Sequence, residues 1–339
     1  MTATAAPRLF DRALLAARRA RARARPRDGA DFLLTRAIDD LDDRLVPVLR
    51  RFPRAVDLGL AAGRAAEAVR RLGKTDEVRI AALDPDPRAD LVVDEEALPF
   101  PPASLDLVIS MLSLQFVDDL PGTLIQIRRA LAPDGLLLAA LLGGETLREL
   151  REALADAEVE LTGGLSPRVI PFVGVRDLGS LLQRAGFALP VTDSDRFTVR
   201  YRSMFDLIAD LRAMGATNPL VDRSRRPTSR RLFLRAAEIY AERFSDPDGR
   251  LRATFEIVSA SGWAPHESQQ KPAKPGSATV RLADALNART FTEEGADTKT
   301  PPEGGADVTT PPEGGPDVKT PPEGGPDVKT PPEGGGGAD

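Results

Sequence analysis

Five apolar runs divide the first half of this chain: residues 55–58, 78–83, 90–93, 105–110 and 136–142. Each is too short and too continuous for an amphipathic helix, so each predicts a strand buried on both faces. Helical patterns fall between them. Leu34, Ile38, Leu41, Leu45 and Leu49 recur at helical spacing until Pro47 bends or ends the pattern, and residues 65–72 and 120–131 predict two further helices. Strands alternating with helices specify a mostly parallel sheet covered on both sides, whose ligands bind beyond the carboxyl ends of the strands. Farther on, residues 143–151 open a helix, 175–186 read as a helix stopped by Gly186, 187–192 and 198–201 as a closing strand pair, and 204–214 as a helix.

The first strand runs through Asp57-Leu58-Gly59-Leu60-Ala61-Ala62-Gly63-Arg64 into a helix. Glycine takes φ > 0 freely and lets a ligand approach the backbone, so the loop is expected to cradle a ligand at a helix N-terminus. Two acids narrow the choice. Asp84 ends the second strand, where such folds place a carboxylate for the two hydroxyls of a ribose, and Asp94 ends the third, where it can accept from an exocyclic amine. A nucleoside fits better than a bare phosphate. Ser110, and Leu112 and Gln115 just past it, stand at the fourth strand's end.

Composition removes several chemistries. With no cysteine and a single histidine, His266, thiolate metal sites, cysteine-bound iron–sulfur clusters and a two-histidine iron triad are excluded. No apolar run approaches eighteen residues, so no transmembrane helix is expected. The net charge of −5 is unevenly spread: residues 1–28 carry +6, residues 292–339 carry −8, and the remainder carries −3, which argues against a nucleic-acid footprint. In the basic segment Leu9, Phe10, Ala13, Leu14 and Ala17 share a helical face up to Pro26, and a transit peptide, a membrane-surface helix and a solvated basic arm compete there. Asp11 and the preference for arginine over lysine, 40 against 6, favour the solvated arm. A short helix is expected at 280–286. Beyond it Thr-Pro-Pro-Glu-Gly-Gly returns every ten residues from Thr300, and so little apolar surface predicts a disordered tail over 292–339.

The glycine loop, the acid after the second strand and Asp94-Glu95-Glu96-Ala97-Leu98-Pro99-Phe100 together resemble the class I S-adenosylmethionine-dependent methyltransferases. The resemblance implies an α/β, Rossmann-like fold with a mostly parallel seven-stranded sheet and S-adenosylmethionine as cofactor, held by Asp57, Gly59, Ala61, Gly63, Asp84, Asp94, Glu95, Ser110 and Leu112. Ala61 stands where the family has its middle glycine, and its methyl is expected to crowd the cofactor or shift the loop. Gly143-Gly144-Glu145-Thr146-Leu147, Ser166-Pro167-Arg168 and the run from Trp263 to Pro272 narrow the likeness. They resemble the alphaproteobacterial relatives of the mitochondrial complex I assembly factor, an arginine hydroxylase with a methyltransferase fold, and are similar to the malonyl-carrier-protein methyltransferases.

That kinship implies a methyltransferase-fold domain over 29–262, a family-specific extension over 263–291, and a complex I subunit as protein substrate, methylated or hydroxylated on arginine. A bacterial protein of this kind would be cytoplasmic, peripheral to the inner membrane, and a eukaryotic one would sit in the matrix. Small-molecule methyl transfer and non-catalytic chaperoning are the alternatives. Gln115, Asp118, Asp119 and Arg168 are the catalytic candidates. Gln115 would orient the acceptor, and Asp118 and Asp119 would pair a guanidinium removed from water. Helix capping is their plain alternative. Ser166 and Arg168 are candidate substrate contacts, set against a solvated loop turn, and His266 a candidate catalytic group, set against a surface contact.

Overall fold

The computed structural model describes residues 8–59, 63–83 and 86–270. Ala61, Asp84, the expected helix at 280–286 and the repeat tail lie outside the described residues. Seven strands form one sheet: β1 (Arg54–Leu58), β2 (Glu77–Ala82), β3 (Leu91–Val92), β4 (Leu105–Met111), β5 (Leu131–Leu142), β6 (Ala188–Tyr201) and β7 (Leu251–Trp263). Their order is β3-β2-β1-β4-β5-β7-β6, parallel except for β7, which runs antiparallel to both neighbours. The order reverses at β1 and β4, so a crevice opens beyond their carboxyl ends.

Among the described residues eight α-helices accompany the sheet: α1 (Arg12–Ala24), α2 (Phe32–Leu45), α3 (Arg64–Arg71), α4 (Leu120–Ala130), α5 (Arg148–Thr162), α6 (Val175–Arg184), α7 (Met204–Ala213) and α8 (Arg230–Phe244). The apolar strands serve both faces by alternation. Leu136, Leu138 and Ala140 of β5 pack into the core formed with α2, α3, α5, α7 and α8, whereas Leu137, Ala139 and Leu141 pack against α4 and α6. No helix among the described residues is long and apolar enough to cross a membrane.

Three expectations are corrected. The run at 90–93 is not a strand buried on both faces: β3 is a two-residue edge strand whose Leu91 and Val92 are 40% and 64% exposed, because an edge has a neighbour on one side only. The closing pair is not a hairpin within 187–201. Residues 188–201 form one fourteen-residue edge strand whose partner, β7, arrives fifty residues later, after α8. The polar centre of β6, Asp193-Ser194-Asp195-Arg196, reads as a turn in sequence. It stays extended because Arg44 and Arg36 of α2 pair with Asp193 and Asp195, and because an edge strand keeps a solvated face.

The described part of the basic segment is not a solvated arm. Phe10 and Leu15 are 2% and 1% exposed. The backbone of residues 9–11 pairs with residues 219–221, through Asp11 N–H to Pro219 C=O at 2.8 Å and Val221 N–H to Leu9 C=O at 2.9 Å. Phe10 meets Phe116 edge-on with ring centres 6.1 Å apart. Asp11 caps α1, accepting from Leu14 N–H at 3.0 Å. Removing residues 1–25 therefore takes two large apolar side chains out of the core and is expected to destabilise the protein by about 3–6 kcal/mol, at about 1.5–3 kcal/mol for each. Urea unfolding of the full chain and the truncation checks this; equal midpoints would return the segment to the solvent.

Candidate functional site

The crevice begins at β1. Asp57, fully buried near its end, accepts from Ala66 N–H of α3 at 3.2 Å through Oδ2, while Oδ1 has no hydrogen-bond partner among the described residues. Ser110 Oγ, on the neighbouring strand β4, is likewise buried and unpartnered. Unsatisfied buried polar atoms are uncommon, and two at adjacent strand ends suit a ligand's polar group. Burial drives the Asp57 carboxyl up to about 7, against the weaker pull of the Ala66 amide and Arg70.

Gly59 follows at φ 116°, and a methyl placed there would lie 2.6 Å from Ser113 Oγ. The position tolerates no side chain, because the loop after β4 is folded down onto it. Gly63 takes the left-handed conformation at φ 78° and opens α3. Leu112, past β4, sits at φ 55°, and Leu147, before α5, at φ 57°. Left-handed leucines at both strand exits are backbone strain of the kind that gathers at functional sites.

From Ser113 the contacts run outward. Its hydroxyl donates to Glu95 Oε1 at 2.9 Å, and Glu95, 2% exposed, also holds the guanidinium of Arg12. Arg12 further donates to Asp94 Oδ1 at 2.9 Å and to the Phe116 carbonyl at 3.1 Å. The acidic turn 94–96 thus binds α1. Asp94 keeps a half-exposed carboxylate, whereas Glu95 is occupied within the fold. Arg12, which ties α1 to the crevice, is a contact that reading the sequence missed, since nothing local separates it from the seven other arginines of residues 1–28.

The catalytic candidates divide. Gln115 lies in a 3-10 turn, 8% exposed, its Nε2 donating to Leu112 C=O at 2.9 Å and its Oε1 buried without a partner. Asp118 and Asp119 serve the backbone. Asp118 Oδ1 accepts from Leu9 and Phe10 N–H at 2.9 and 2.8 Å, and Asp119 Oδ1 caps α4 by accepting from Gly122 N–H at 2.8 Å. Arg168 makes a two-pronged pair with Glu158, at 3.0 and 2.8 Å, and Ser166 donates to the same carboxylate at 2.6 Å, so this loop is fastened to α5.

The Gly143-Gly144-Glu145-Thr146 run serves the sheet. A methyl at Gly143 would meet the Glu256 side chain, and Glu145 N–H donates to Glu256 Oε2 at 3.0 Å. His266 is remote from the crevice. Trp263 pairs with Leu136 near the start of β5, so the chain from 263 to 270 lies at the amino end of the parallel strands. There His266 Nδ1 and Ser268 Oγ are 2.7 Å apart on the surface.

A cleft of about 660 Å³ opens beside the crevice, where Leu142 ends β5 and Phe116 follows β4. Its lining includes seven arginines and no aspartate or glutamate. Sequence reading had no access to this cluster, because its arginines come from α1, the segment just after it, α7 and the loops at 168 and 223.

A methyltransferase-domain family model matches residues 27–190. The mitochondrial arginine-hydroxylase NDUFAF5 of Rattus norvegicus is 40% identical over 274 residues, covering 78% of this chain and 80% of that protein. The chain belongs to the NDUFAF5 family. The human NDUFAF5 is 41% identical over 263 residues, covering 75% and 76%. The NDUFAF5 family also lies near a second named activity: the malonyl-[acyl-carrier protein] O-methyltransferase of Xylella fastidiosa (strain M23) is 34% identical over 247 residues, 68% of this chain and 79% of its own length. Among solved structures, the YcgJ protein of Bacillus subtilis aligns at 12% identity and a TM-score of 0.46, over 68% of this chain and 99% of that one.

For this NDUFAF5-family chain, Asp57 gives a stability test. Its folded-state pKa lies above the unfolded value of 3.8, so its protonated form contributes stability that is fully present below about pH 4 and lost as pH rises through about 7. Asp57→Asn stays neutral throughout. The variant's stability relative to the parent is expected to rise across that window in denaturant titrations. A constant difference would mean that Asp57 ionises freely in the fold.

Proposed function

We propose that this protein is an S-adenosylmethionine-dependent enzyme acting on a protein substrate during assembly of respiratory complex I, a reading supported by the sequence resemblance to the complex I assembly factor and by its arginine-hydroxylase relatives. The observation that carries the cofactor reading is the crevice at β1 and β4, with an unpartnered Asp57 oxygen, an unpartnered Ser110 hydroxyl and a glycine packed against Ser113. An ammonium group suits the Asp57 carboxylate, and a methionine moiety suits the backbone at Gly59 and Gly63. In this reading Asp84 takes the ribose, and Asp94 with Leu112 flanks the adenine. Glu95 acts indirectly, by holding Ser113 and Arg12 in place.

When bound, S-adenosylmethionine supplies an electrophile that is already activated. The chain is then left to align the acceptor and exclude water, and no strong base is required of it. Gln115 is the group proposed to orient the acceptor, through its free Oε1. The arginine-lined cleft supports a second reading, methyl transfer to a small anionic acceptor, because no carboxylate lines it to pair a guanidinium.

Calorimetry on the purified full chain is expected to show S-adenosylmethionine binding. Asp84→Ala should weaken it about 10- to 100-fold, the worth of hydrogen bonds to a charged group at about 1.5–3 kcal/mol. No binding at millimolar cofactor would end the enzyme reading. For the substrate, the masses of arginine-containing peptides from complex I subunits are compared with and without the gene. A mass difference at one arginine, together with impaired assembly, supports the protein substrate, and unaltered masses in a fully assembled complex favour the second reading.

A further inference from the structure

The cleft's floor and rim differ in character. Leu33, Leu147, Leu150 and Phe255, all buried, stand with Phe233 among its apolar lining, deep in the core shared by α2, α5 and β7. Its cationic residues come from separate elements, with Arg18 and Arg21 on α1, Arg25 just past its C-terminal end, Arg212 on α7 and Arg223 after it. Arg18 is spent on the carbonyls of Thr217 and Asn218, Arg223 on Asp11 at 3.0 Å, and Arg27 on Asp210 at 3.0 Å. Arg21, Arg25 and Arg212 have no ion pair among the described residues and are exposed. Arg18 bears the consequence: burial, with repulsion from Arg223 and Arg21, lowers its pKa.

We propose that this cleft binds a single amphiphilic molecule, an apolar chain ending in a phosphate or carboxylate. The arginines grip the anionic head and the leucine and phenylalanine floor takes the chain. Guanidinium groups suit such heads, which they meet with two parallel N–H bonds. A cleft of about 660 Å³ is of the size that encloses a small ligand. The anion compensates Arg21, Arg25 and Arg212, which have no ion pair among the described residues, and this sign of charge separates the ligand from an arginine side chain. The inference rests on the second reading above for the ligand's role as acceptor. Binding itself requires no transfer.

The test is binding of monomeric decyl phosphate to the full chain by calorimetry, with inorganic phosphate, decyltrimethylammonium and phosphatidylglycerol vesicles as comparisons. Decyl phosphate is expected to bind at least about 100-fold more tightly than inorganic phosphate, since the chain adds apolar burial. The ammonium amphiphile is expected not to compete. Arg21→Gln combined with Arg212→Gln removes two exposed, unpaired arginines. Its melting temperature should be unchanged, and its affinity for decyl phosphate at least about tenfold lower. Equal binding of both amphiphiles, an unaffected double variant, or binding of vesicles without binding of decyl phosphate would overturn the proposal. Decyl phosphate bound but never methylated, with S-adenosylmethionine present, would support the site and remove the small-acceptor reading alone.

Discussion

The missing side chain at Gly59 is the constraint from which the rest of the site follows. Only a bare backbone lets the loop after β4 settle onto the end of β1, so that Ser113 lies where a methyl would otherwise be. Ser113 then reaches Glu95, Glu95 holds Arg12, and Arg12 anchors α1. A buried carboxylate such as Glu95 is tolerable because both a hydroxyl and a guanidinium satisfy it, and it would be costly with either removed. A conformational fact about one residue is thereby carried through two polar contacts to a helix distant in the chain's sequence. The same helix brings Arg18 and Arg21 to the cleft, so the crevice at β1 and β4 and the cleft share one wall.

This arrangement divides the acids into two kinds. Asp57 is buried, half-satisfied and held near neutrality in its pKa, which leaves it responsive to a cationic ligand. Asp118, Asp119, Glu158 and Glu256 are committed to amides, hydroxyls or arginines of the fold. Carboxylates of the second kind have little left to offer a substrate. The cleft accordingly has cationic walls, an unusual surrounding for a guanidinium and a favourable one for an anion.

Much of the sheet was legible in the sequence, because strands buried on both faces read as continuous apolar runs whatever their neighbours. β1, β2, β4 and β5, the glycine loop and the helices flanking them follow from that pattern, and β3 was visible only as an apolar run, since it is a short exposed edge strand. β6 and β7 were not legible as a pair. β6 is an edge strand with a charged centre held extended by arginines of α2, and its partner is distant in sequence, so no local signal joins them. The acids at the strand ends were visible as residue types, but their partners were not. Arg12 and the arginine cluster escaped for the same reason, since each arginine looks like surface charge until the fold assembles it with the others.

The central claim is that α1 is held over the strand ends through Glu95 and Arg12. Amide hydrogen exchange of the full chain, comparing the parent with Arg12→Ala, tests it most directly. Protection along residues 12–24 is expected to fall further in the variant than that of β1, β4 and β5, because the sheet core opens only with the whole fold whereas α1 loses its own anchor. Unchanged protection of α1 would show that apolar packing at Phe10 and Leu15 alone holds the helix, and would break the proposed link between the crevice and the cleft.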